Sequence, residues 1–497
     1  MRLSGDLLRL ADAVLLPGFA GLTPPDWIRR RLGQGLAGAV LFSRNIADPA
    51  QVARLAAALR AENPAALVAT DEESGEVTRL EAATGSSRPG AYALGVVDDV
   101  TLTEELARDL GRELAAAGIT LDFAPSADVN SNPDNPVIGL RAFGAAPDLV
   151  ARHARAFVRG LQSAGVAACV KHFPGHGDTS VDSHHGVPTV SLDGVEAALR
   201  PFREAIAEGV RTVMTGHLLV PTYDPGLPAT LSPKLLTGLL REELGFDGVI
   251  VTDAIEMAGV SAAYGIGGAA ARAVAAGADA VCVGGERSDE ATAAEVRDAI
   301  AAAVAEGVLP EERLADAARR VRELAVWTTS SGSTTTTPPD RRVGLEAARR
   351  AVRVTRRSAA PALPVATAPH VVELAPEMNL AIDKGTPWGV GAPLAALLPG
   401  TTVTRLTAAE ATGAAIERLI RAGAGRPLVV VVRDVHRHPW QQQAVRHLLS
   451  ARPGAVVVEM GLPERSDLGA VHIATYGSAE VCGRAAAEVI TGRAATG

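Results

Sequence analysis

The chain has 497 residues, 47% of them apolar and only 3% aromatic, and its net charge is −8. This length favours more than one domain, and the apolar content predicts large buried cores rather than a disordered chain. Basic residues form no tract interleaved with aromatic residues, so we expect no nucleic-acid partner. We also expect no membrane partner, because no uncharged apolar segment reaches the roughly 18 residues that a membrane helix needs.

Two features of the sequence bear on its cellular compartment. Asp6 and Asp12 lie where a signal peptide would have a continuous apolar run. The cysteines Cys169, Cys282 and Cys482 are far apart in apolar surroundings, which fits neither a metal site nor a disulfide framework. We therefore expect a reduced, cytoplasmic protein, with export on another signal as the alternative.

Eight short apolar runs alternate with helical patterns over the first 327 residues. We predict strands at 13–16, 38–42, 66–69, 121–124, 167–170, 211–214, 248–251 and 280–283. Helices are predicted among them at 49–63, 101–117, 148–164, 194–208 and 289–306. Continuous apolar runs are typical of strands buried on both faces, so this pattern predicts a (β/α)8 TIM barrel. An open doubly wound sheet is the alternative, but no Gly-rich phosphate loop follows the first run.

A polar segment rich in Thr, Ser and Pro follows the predicted barrel. It predicts a linker at 328–342 between a catalytic barrel at 1–327 and a second domain at 343–497. A helix at 345–354 and parallel strands at 371–374, 427–432 and 455–459 predict a smaller α/β sandwich domain with about five strands. The polar run 433–438 in this domain is predicted to be an exposed loop.

Polar side chains follow five consecutive predicted strands of the barrel, where this fold places its catalytic groups. In chain order the main ones are Asp71, Arg79, Asp128, Asn130, Arg141, Lys171, His172, His217 and Asp253. Lysine 171 is notable because the chain has only three lysines, its other basic residues being arginine. A single group of this kind could be a helix cap or a structural ion, whereas five consecutive strand ends indicate a site.

The sequence Lys-His-Phe-Pro-Gly-His-Gly at 171–177, followed by Asp-Ser-His at 182–184, resembles the signature of glycoside hydrolase family 3. The Asp-Ser-His ending is similar to that of its NagZ-like β-N-acetylglucosaminidase branch. The resemblance continues in order through the barrel half, at 41–45, 71–79, 123–125, 135–143 and 251–253, and is weaker after the linker. It implies a TIM barrel and the α/β sandwich domain that many members carry.

The resemblance also implies a retaining, double-displacement mechanism. Asp253 corresponds to the nucleophile and His184 to the general acid/base. Asp182 would hydrogen-bond a ring nitrogen of His184, fix its tautomer and stabilise the imidazolium. An ordinary His pKa of about 6.5 allows both donation and acceptance of a proton near neutrality. The alternatives are a helix N-cap for Asp253 and a solvated loop position for His184.

Five residues match the family's sugar-binding positions, namely Asp71, Arg79, Arg141, Lys171 and His172. Charged groups suit the recognition of sugar hydroxyls, although ion pairing at the barrel rim is the alternative. Ser74 and Glu76 depart from the family pattern, which more often has Gly and Arg there, so the fine substrate preference stays open.

No metal or other cofactor is expected. His172, His176 and His184 resemble a zinc set only on paper, because a loop rich in Pro and Gly cannot supply helical spacing. Lys171 at the start of this loop would also oppose a cation.

Together these residues imply an exo-hydrolase that releases terminal β-linked N-acetylglucosamine from muropeptides or chitooligosaccharides, with a cytoplasmic role in cell-wall recycling. A phosphorylase that forms N-acetylglucosamine 1-phosphate stays open, because a His acid/base would not repel phosphate as a carboxylate would. β-Glucosidase activity and a non-catalytic sugar-binding protein are further alternatives, and the second would be expected to lack Asp253 or His184. The partners are thus a small carbohydrate and, in one alternative, phosphate. Because the acid/base belongs to the barrel loop, we expect the second domain not to be needed for the chemistry.

Overall fold

The computed structural model of the protein describes residues 3–181, 186–190, 195–331, 339–357 and 363–493. Its contacts divide the chain into two units. The first comprises Met1–Glu73, Thr103–Ile138 and Ala142–Pro339, and the second comprises Ser74–Leu102, Gly139–Arg141 and Asp340–Gly497. The second unit therefore includes two short segments from the sequence that we assigned to the barrel. The domain division at residues 328–342 stays a prediction.

The first unit is built around parallel strands. In chain order they and one hairpin are β1 (Leu15–Pro17), β2 (Gly38–Leu41), β3 (Leu67–Thr70), β4 (Leu121–Asp122), β5 (Ala167–Phe173), β6 (Thr212–Thr215), β7 (Leu219–Val220), β8 (Asp224–Pro228), β9 (Val249–Thr252) and β10 (Val281–Val283). Strands β2, β3, β4, β5, β6 and β9 form one sheet in that order, β1 pairs with β10, and β7 with β8 forms the hairpin. Bridges from Gly18 to Val40 and from Val251 to Ala280 join the first two sheets into a ring. The predicted (β/α)8 barrel and its eight strands are confirmed.

Helices connect these strands. They are α1 (Gly5–Asp12), α2 (Asp26–Gly33), α3 (Pro49–Glu62), α4 (Ala91–Val97), α5 (Val100–Ala116), α6 (Pro147–Ser163), α7 (Val195–Ala207), α8 (Ala258–Ala276), α9 (Glu290–Ala305) and α10 (Glu311–Ser330). The five predicted helices are found within one residue at either end. Helix α3 shows why, since the Asp48 side chain caps its first turn and Pro49 occupies the first helical position. Helix α10 continues to Ser330, so the first residues of the predicted linker are helical.

The second unit contains a six-stranded sheet. Its strands are β11 (Arg353–Arg356), β12 (His370–Leu374), β13 (Thr402–Leu406), β14 (Leu428–Val432), β15 (Val456–Glu459) and β16 (Val471–Ala474). They lie in the order β11-β16-β15-β14-β12-β13, all parallel except β11, which is antiparallel to β16. The predicted strands β12, β14 and β15 are confirmed. The predicted helix at 345–354 is wrong at its end, because β-branched Val352, Val354 and Thr355 favour an extended edge strand.

Helices cover both faces of this sheet. They are α11 (Arg342–Ala351), α12 (Gly391–Leu397), α13 (Gly413–Ala422), α14 (Pro439–Ala451) and α15 (Glu480–Thr491). Strand β14 supplies Val429 and Val431 to one buried apolar cluster and Val430 and Val432 to the other. Alternation of side chains along a strand explains the two cores. The predicted α/β sandwich is confirmed.

The described helices were also compared with the requirements of a bilayer. None of them combines the length and apolarity that a membrane crossing needs.

Candidate active site

The parallel strands of the first unit carry most of the predicted site residues to one end of the barrel. Asp71 follows β3, Lys171 and His172 lie near the end of β5, and Asp253 follows β9. Because parallel strands end on the same rim, the structure brings these four residues to one side of the fold. Arg79 and Arg141 belong to the second unit and are described with it. Asp182 and His184 lie outside the described residues.

Lys171 is buried between two carboxylates. Its side chain is only 2% exposed, and its Nζ lies 2.9 Å from Asp71 Oδ1 and 2.6 Å from Glu73 Oε1. A buried ammonium requires such partners, because the cost of removing it from water is otherwise several kcal/mol. Glu73 is buried, whereas the side chain of Asp71 keeps 20% of its surface exposed. Glu73 thus secures the lysine, and Asp71 stays accessible to a ligand.

A further carboxyl group, Asp122, lies in the neighbouring strand β4. Its Oδ1 accepts a hydrogen bond of 2.8 Å from the backbone N–H of Glu72, and among the described residues its Oδ2 has no partner. Burial raises the pKa of Asp122 well above its usual value. We therefore interpret Asp122 as a neutral carboxylic acid, so that it adds no charge to the Lys171 cluster.

The ring of His172 is oriented by Asp128. His172 Nδ1 lies 2.7 Å from Asp128 Oδ2, and the backbone N–H groups of His172 and His176 donate to Asp128 Oδ1 at 3.2 and 2.7 Å. Burial alone would raise the pKa of Asp128, but His172 and these hydrogen bonds lower it below its usual value. An ionised Asp128 holds the proton of His172 on Nδ1, as carboxylates do in other Asp–His pairs.

Asp253 lies in the loop between β9 and α8. Its backbone N–H donates to Thr215 O at 3.3 Å, and its Oδ1 accepts from the backbone N–H of Ala254 at 2.7 Å. Helix α8 begins at Ala258 with Met257 at its N-cap, so the helix-cap alternative for Asp253 is wrong. The partly exposed carboxylate is available at the rim.

His217 supports the loop that carries Asp253. This buried residue directs Nε2 at Ala254 O, 3.0 Å away, and its Nδ1 lies 2.8 Å from Thr230 Oγ1. Because a carbonyl oxygen only accepts, Nε2 carries a proton. Both ring nitrogens are thus occupied within the protein, which assigns His217 to positioning rather than to ligand binding.

Carboxylates converge on the rim near β10. Burial, followed by the charges of Glu256, Asp71 and Asp253, raises the pKa of the Cys282 thiol well above its usual value. The three carboxylates therefore act electrostatically on one point of the barrel. Such an acidic rim favours a ligand or transition state that carries positive charge.

In the second unit, Arg79 and Arg141 are both buried. Arg79 Nη1 donates to Ala381 O at 3.1 Å, and Arg141 ends the short 3₁₀ helix Gly139–Arg141. The expectation of an exposed loop at 433–438 is wrong at its first residue, because Arg433 is buried against Glu76. The predicted sugar-binding roles of Arg79 and Arg141 stay predictions.

Sequence reasoning did not assign Glu73 or Asp128 to the site. Both carboxylates act through a site residue, Glu73 through Lys171 and Asp128 through His172. Asp128 follows a strand end and was visible as a polar group, but its partner is 44 residues away in sequence. Only the adjacency of β4 and β5 brings the two together, and spacing along the chain does not reveal it.

Ser74 adopts a backbone conformation that favours glycine, with φ of +67°, and among the described residues its buried hydroxyl has no hydrogen-bond partner. Ser74→Gly is therefore expected to stabilise the protein by about 1 kcal/mol, after the larger backbone entropy of glycine is subtracted. Thermal unfolding should show a Tm increase of roughly 1 to 2 °C. Ser74→Ala is the control, since it removes the hydroxyl but keeps the strain. A glycine variant less stable than the alanine variant would contradict the interpretation.

With this geometry established, the chain was compared with known proteins. The model of the glycosyl hydrolase family 3 N-terminal domain matches residues 24–324. Beta-hexosaminidase A of Pseudoalteromonas piscicida is 38% identical over 263 residues, which cover 48% of this chain and 44% of the relative. A beta-hexosaminidase of Stenotrophomonas maltophilia (strain K279a) is 40% identical over 286 residues, covering 54% of this chain and 83% of the relative. The chain thus spans less than half the length of the first relative and most of the second.

A solved structure extends the likeness to nearly the whole chain. It is that of a glycoside hydrolase family 3 beta-N-acetylglucosaminidase from Paenibacillus sp. str. FPU-7, which has a TM-score of 0.86 and 35% sequence identity. The alignment covers 99% of this chain and 97% of that chain. Both units therefore have counterparts in one known protein.

Proposed function

The chain belongs to glycosyl hydrolase family 3, and on this premise we propose that it is a retaining exo-β-N-acetylglucosaminidase. The observation that carries the proposal is the common rim of Asp253 and the Lys171–Asp71 pair in the first unit. The names of the hexosaminidase relatives and of the Paenibacillus structure support the choice of sugar.

The proposed reaction proceeds in two displacements. Asp253 attacks the anomeric carbon while the bond to the aglycone oxygen breaks and that oxygen takes a proton from His184. The resulting glycosyl-enzyme is then opened by water, which gives its proton to His184 as it attacks the anomeric carbon and releases Asp253. Asp182 stabilises the imidazolium between these steps. The roles of His184 and Asp182 come from the sequence motif.

Charged groups bind the sugar in this proposal. Asp71 accepts from a hydroxyl group, and His172, with Nδ1 held by Asp128, offers Nε2 to another. Lys171 keeps Asp71 ionised and contributes a charge-assisted hydrogen bond, while Arg79 and Arg141 complete the set. The acidic rim stabilises the positive charge that develops at the anomeric carbon of an oxocarbenium-like transition state.

The same charge distribution favours water over phosphate as the acceptor. Asp71, Glu73 and Asp253 outnumber Lys171 among the described groups at this end of the first unit, and the electrostatic repulsion would act on an incoming dianion. We therefore propose hydrolysis rather than phosphorolysis, although a His acid/base permits either.

Turnover of p-nitrophenyl N-acetyl-β-glucosaminide tests the proposal. We expect release of free N-acetylglucosamine with initial retention of the β-configuration, at a similar rate in buffers with and without phosphate. Mass spectrometry of the products should show no sugar 1-phosphate. A phosphate-dependent sugar 1-phosphate would identify a phosphorylase. Faster turnover of the corresponding β-glucoside would identify a β-glucosidase and overturn the choice of sugar.

We further propose that the natural substrates are muropeptides or chitooligosaccharides and that the protein recycles cell-wall sugars in the cytoplasm. Supporting this location, Cys169, Cys282 and Cys482 are all buried as free thiols. Reduced cysteines are the usual state in that compartment.

A further inference from the structure

The sheet of the second unit has a point at which its strand order reverses. Strand β13 lies on one side of β12, and β14, β15 and β16 follow on the other. In doubly wound folds, ligands bind in the crevice beyond the carboxyl ends of the strands at such a point. Here Arg433 directly follows β14, and the loop after β12 contains Met378 and Ala381.

Glu76 occupies the guanidinium group of Arg433 at this point. Arg433 Nη2 pairs with Glu76 Oε2, and the two side chains are only 7% and 5% exposed. Ser478 Oγ donates to Glu76 Oε1 at 2.8 Å and accepts from Arg433 Nη1 at 3.1 Å. Arg433 Nη1 also lies 2.9 Å from Met378 Sδ. The position where related sheets hold a ligand is thus filled by the protein's own carboxylate.

Glu76 depends on this partner. Burial raises the pKa of its carboxyl group, and the charge of Arg433 together with the hydrogen bond from Ser478 opposes that increase. A buried carboxylate that loses its cation either becomes protonated or leaves the protein interior. Loss of Arg433 would therefore release Glu76 from the sheet.

Arg79 lies three residues after Glu76 in the same unit, and its Nη1 donates to Ala381 O at 3.1 Å. The segment 74–79 is also held at Gly75, which has φ of +68° and approaches Gly90 so closely that a Cβ would lie 2.4 Å from its Cα. Glu76 supplies the charged attachment between these two points. The conformation of the segment that carries Arg79 is thus determined on the sheet.

We propose that Arg433 is a positioning residue for the reaction, which holds Glu76 at the strand-order reversal and thereby sets Arg79 for sugar binding. This inference rests on the proposed function, in which Arg79 contacts the substrate. It differs from our sequence-based expectation that the residues after the linker are not needed for the chemistry. It also gives a reason for Glu76, where the family more often has Arg.

Steady-state kinetics of the full chain test the inference. Arg433→Met is expected to raise KM for p-nitrophenyl N-acetyl-β-glucosaminide by about 10-fold with a smaller change in kcat, as when binding shared by ground and transition states is lost. Arg79→Met should raise KM at least as much. The double variant should show no further increase beyond Arg79→Met, because both changes remove the same contact. Additive effects would overturn the inference.

Arg405→Met provides the matched structural control. Arg405 pairs with the buried Glu373 of the same sheet, through Nε and Nη2 at 3.0 and 2.6 Å from Oε2. This variant should lower Tm and leave KM unchanged. If Arg433→Met behaves like the control, with a lower Tm and an unchanged KM, Arg433 is only structural and the inference is wrong.

Two further variants cover the case in which Arg433→Met fails to fold. Glu76→Gln keeps the shape and the hydrogen bond with Ser478, and it should still raise KM. Arg433→Lys should restore part of the wild-type KM, because it retains the charge. An unchanged KM in Glu76→Gln would overturn the inference. Absence of any turnover by the wild-type chain would instead overturn the proposed function, and the inference with it.

Discussion

Asp253→Ala is expected to lower kcat for p-nitrophenyl N-acetyl-β-glucosaminide by about 10⁴-fold or more, as removal of a covalent nucleophile does in other enzymes. The fold should persist, because the backbone N–H of Asp253 keeps its bond to Thr215 O and the side chain is partly exposed. Only the hydrogen bond from Ala254 N–H to Oδ1 is lost. Initial rates and circular dichroism of both proteins measure the two effects.

Azide gives this prediction a second measurement. The truncated side chain leaves space in which azide can attack the anomeric carbon as the aglycone departs, so added sodium azide should restore turnover and yield an α-glycosyl azide. Asp289→Ala is the control, since Asp289 caps α9 through Thr292 N–H and should affect stability but not rate. Wild-type activity in Asp253→Ala would remove Asp253 as the nucleophile.

Lys171→Met is expected to produce the second largest effect, on both stability and activity. The substitution leaves the carboxylates of Asp71 and Glu73 without the ammonium that separates them, and breaking a buried ion pair costs about 3 to 5 kcal/mol. Loss of a charge-assisted hydrogen bond to the sugar should lower kcat/KM by a further 10-fold to 100-fold, corresponding to about 1.5 to 3 kcal/mol. Chemical denaturation and kinetics below the unfolding transition measure the two separately.

Lys234→Met is the matched control for this experiment. Lys234 is exposed at the start of the π-helical segment Lys234–Glu243, so its substitution should change neither stability nor kcat/KM appreciably. Equal behaviour of the two lysine variants would show that the Lys171 pair does not contribute to the site.

The barrel was predictable because its strands are continuous apolar runs separated by periodic helices. Burial on both faces makes each strand visible without knowledge of its neighbours. The rim residues followed from strand ends alone, which is why Lys171 and Asp253 could be placed. The edge strand β11 was not predicted as a strand, since its side chains are all exposed and its start continues a helical pattern.

Partners that meet through the tertiary structure were beyond the sequence pattern. Arg433 has the polar neighbours of a solvated loop, and only the contact with Glu76, 357 positions away, buries it. Asp128 and Glu73 similarly acquire their roles from the order of neighbouring strands. Local propensity carries no information about such pairs, because their energies depend on burial and on distances across the fold.

The distance between Glu76 and Arg433 along the chain also has a kinetic consequence. During synthesis at 5 to 20 residues per second, Arg433 emerges roughly 20 to 70 s after Glu76, as their separation of 357 residues requires. The segment Ser74–Leu102 therefore waits, with its acidic side chain in water, until nearly the whole polypeptide has left the ribosome. Completion of the second unit is necessarily a late, post-translational event, although part of it is among the first sequences made.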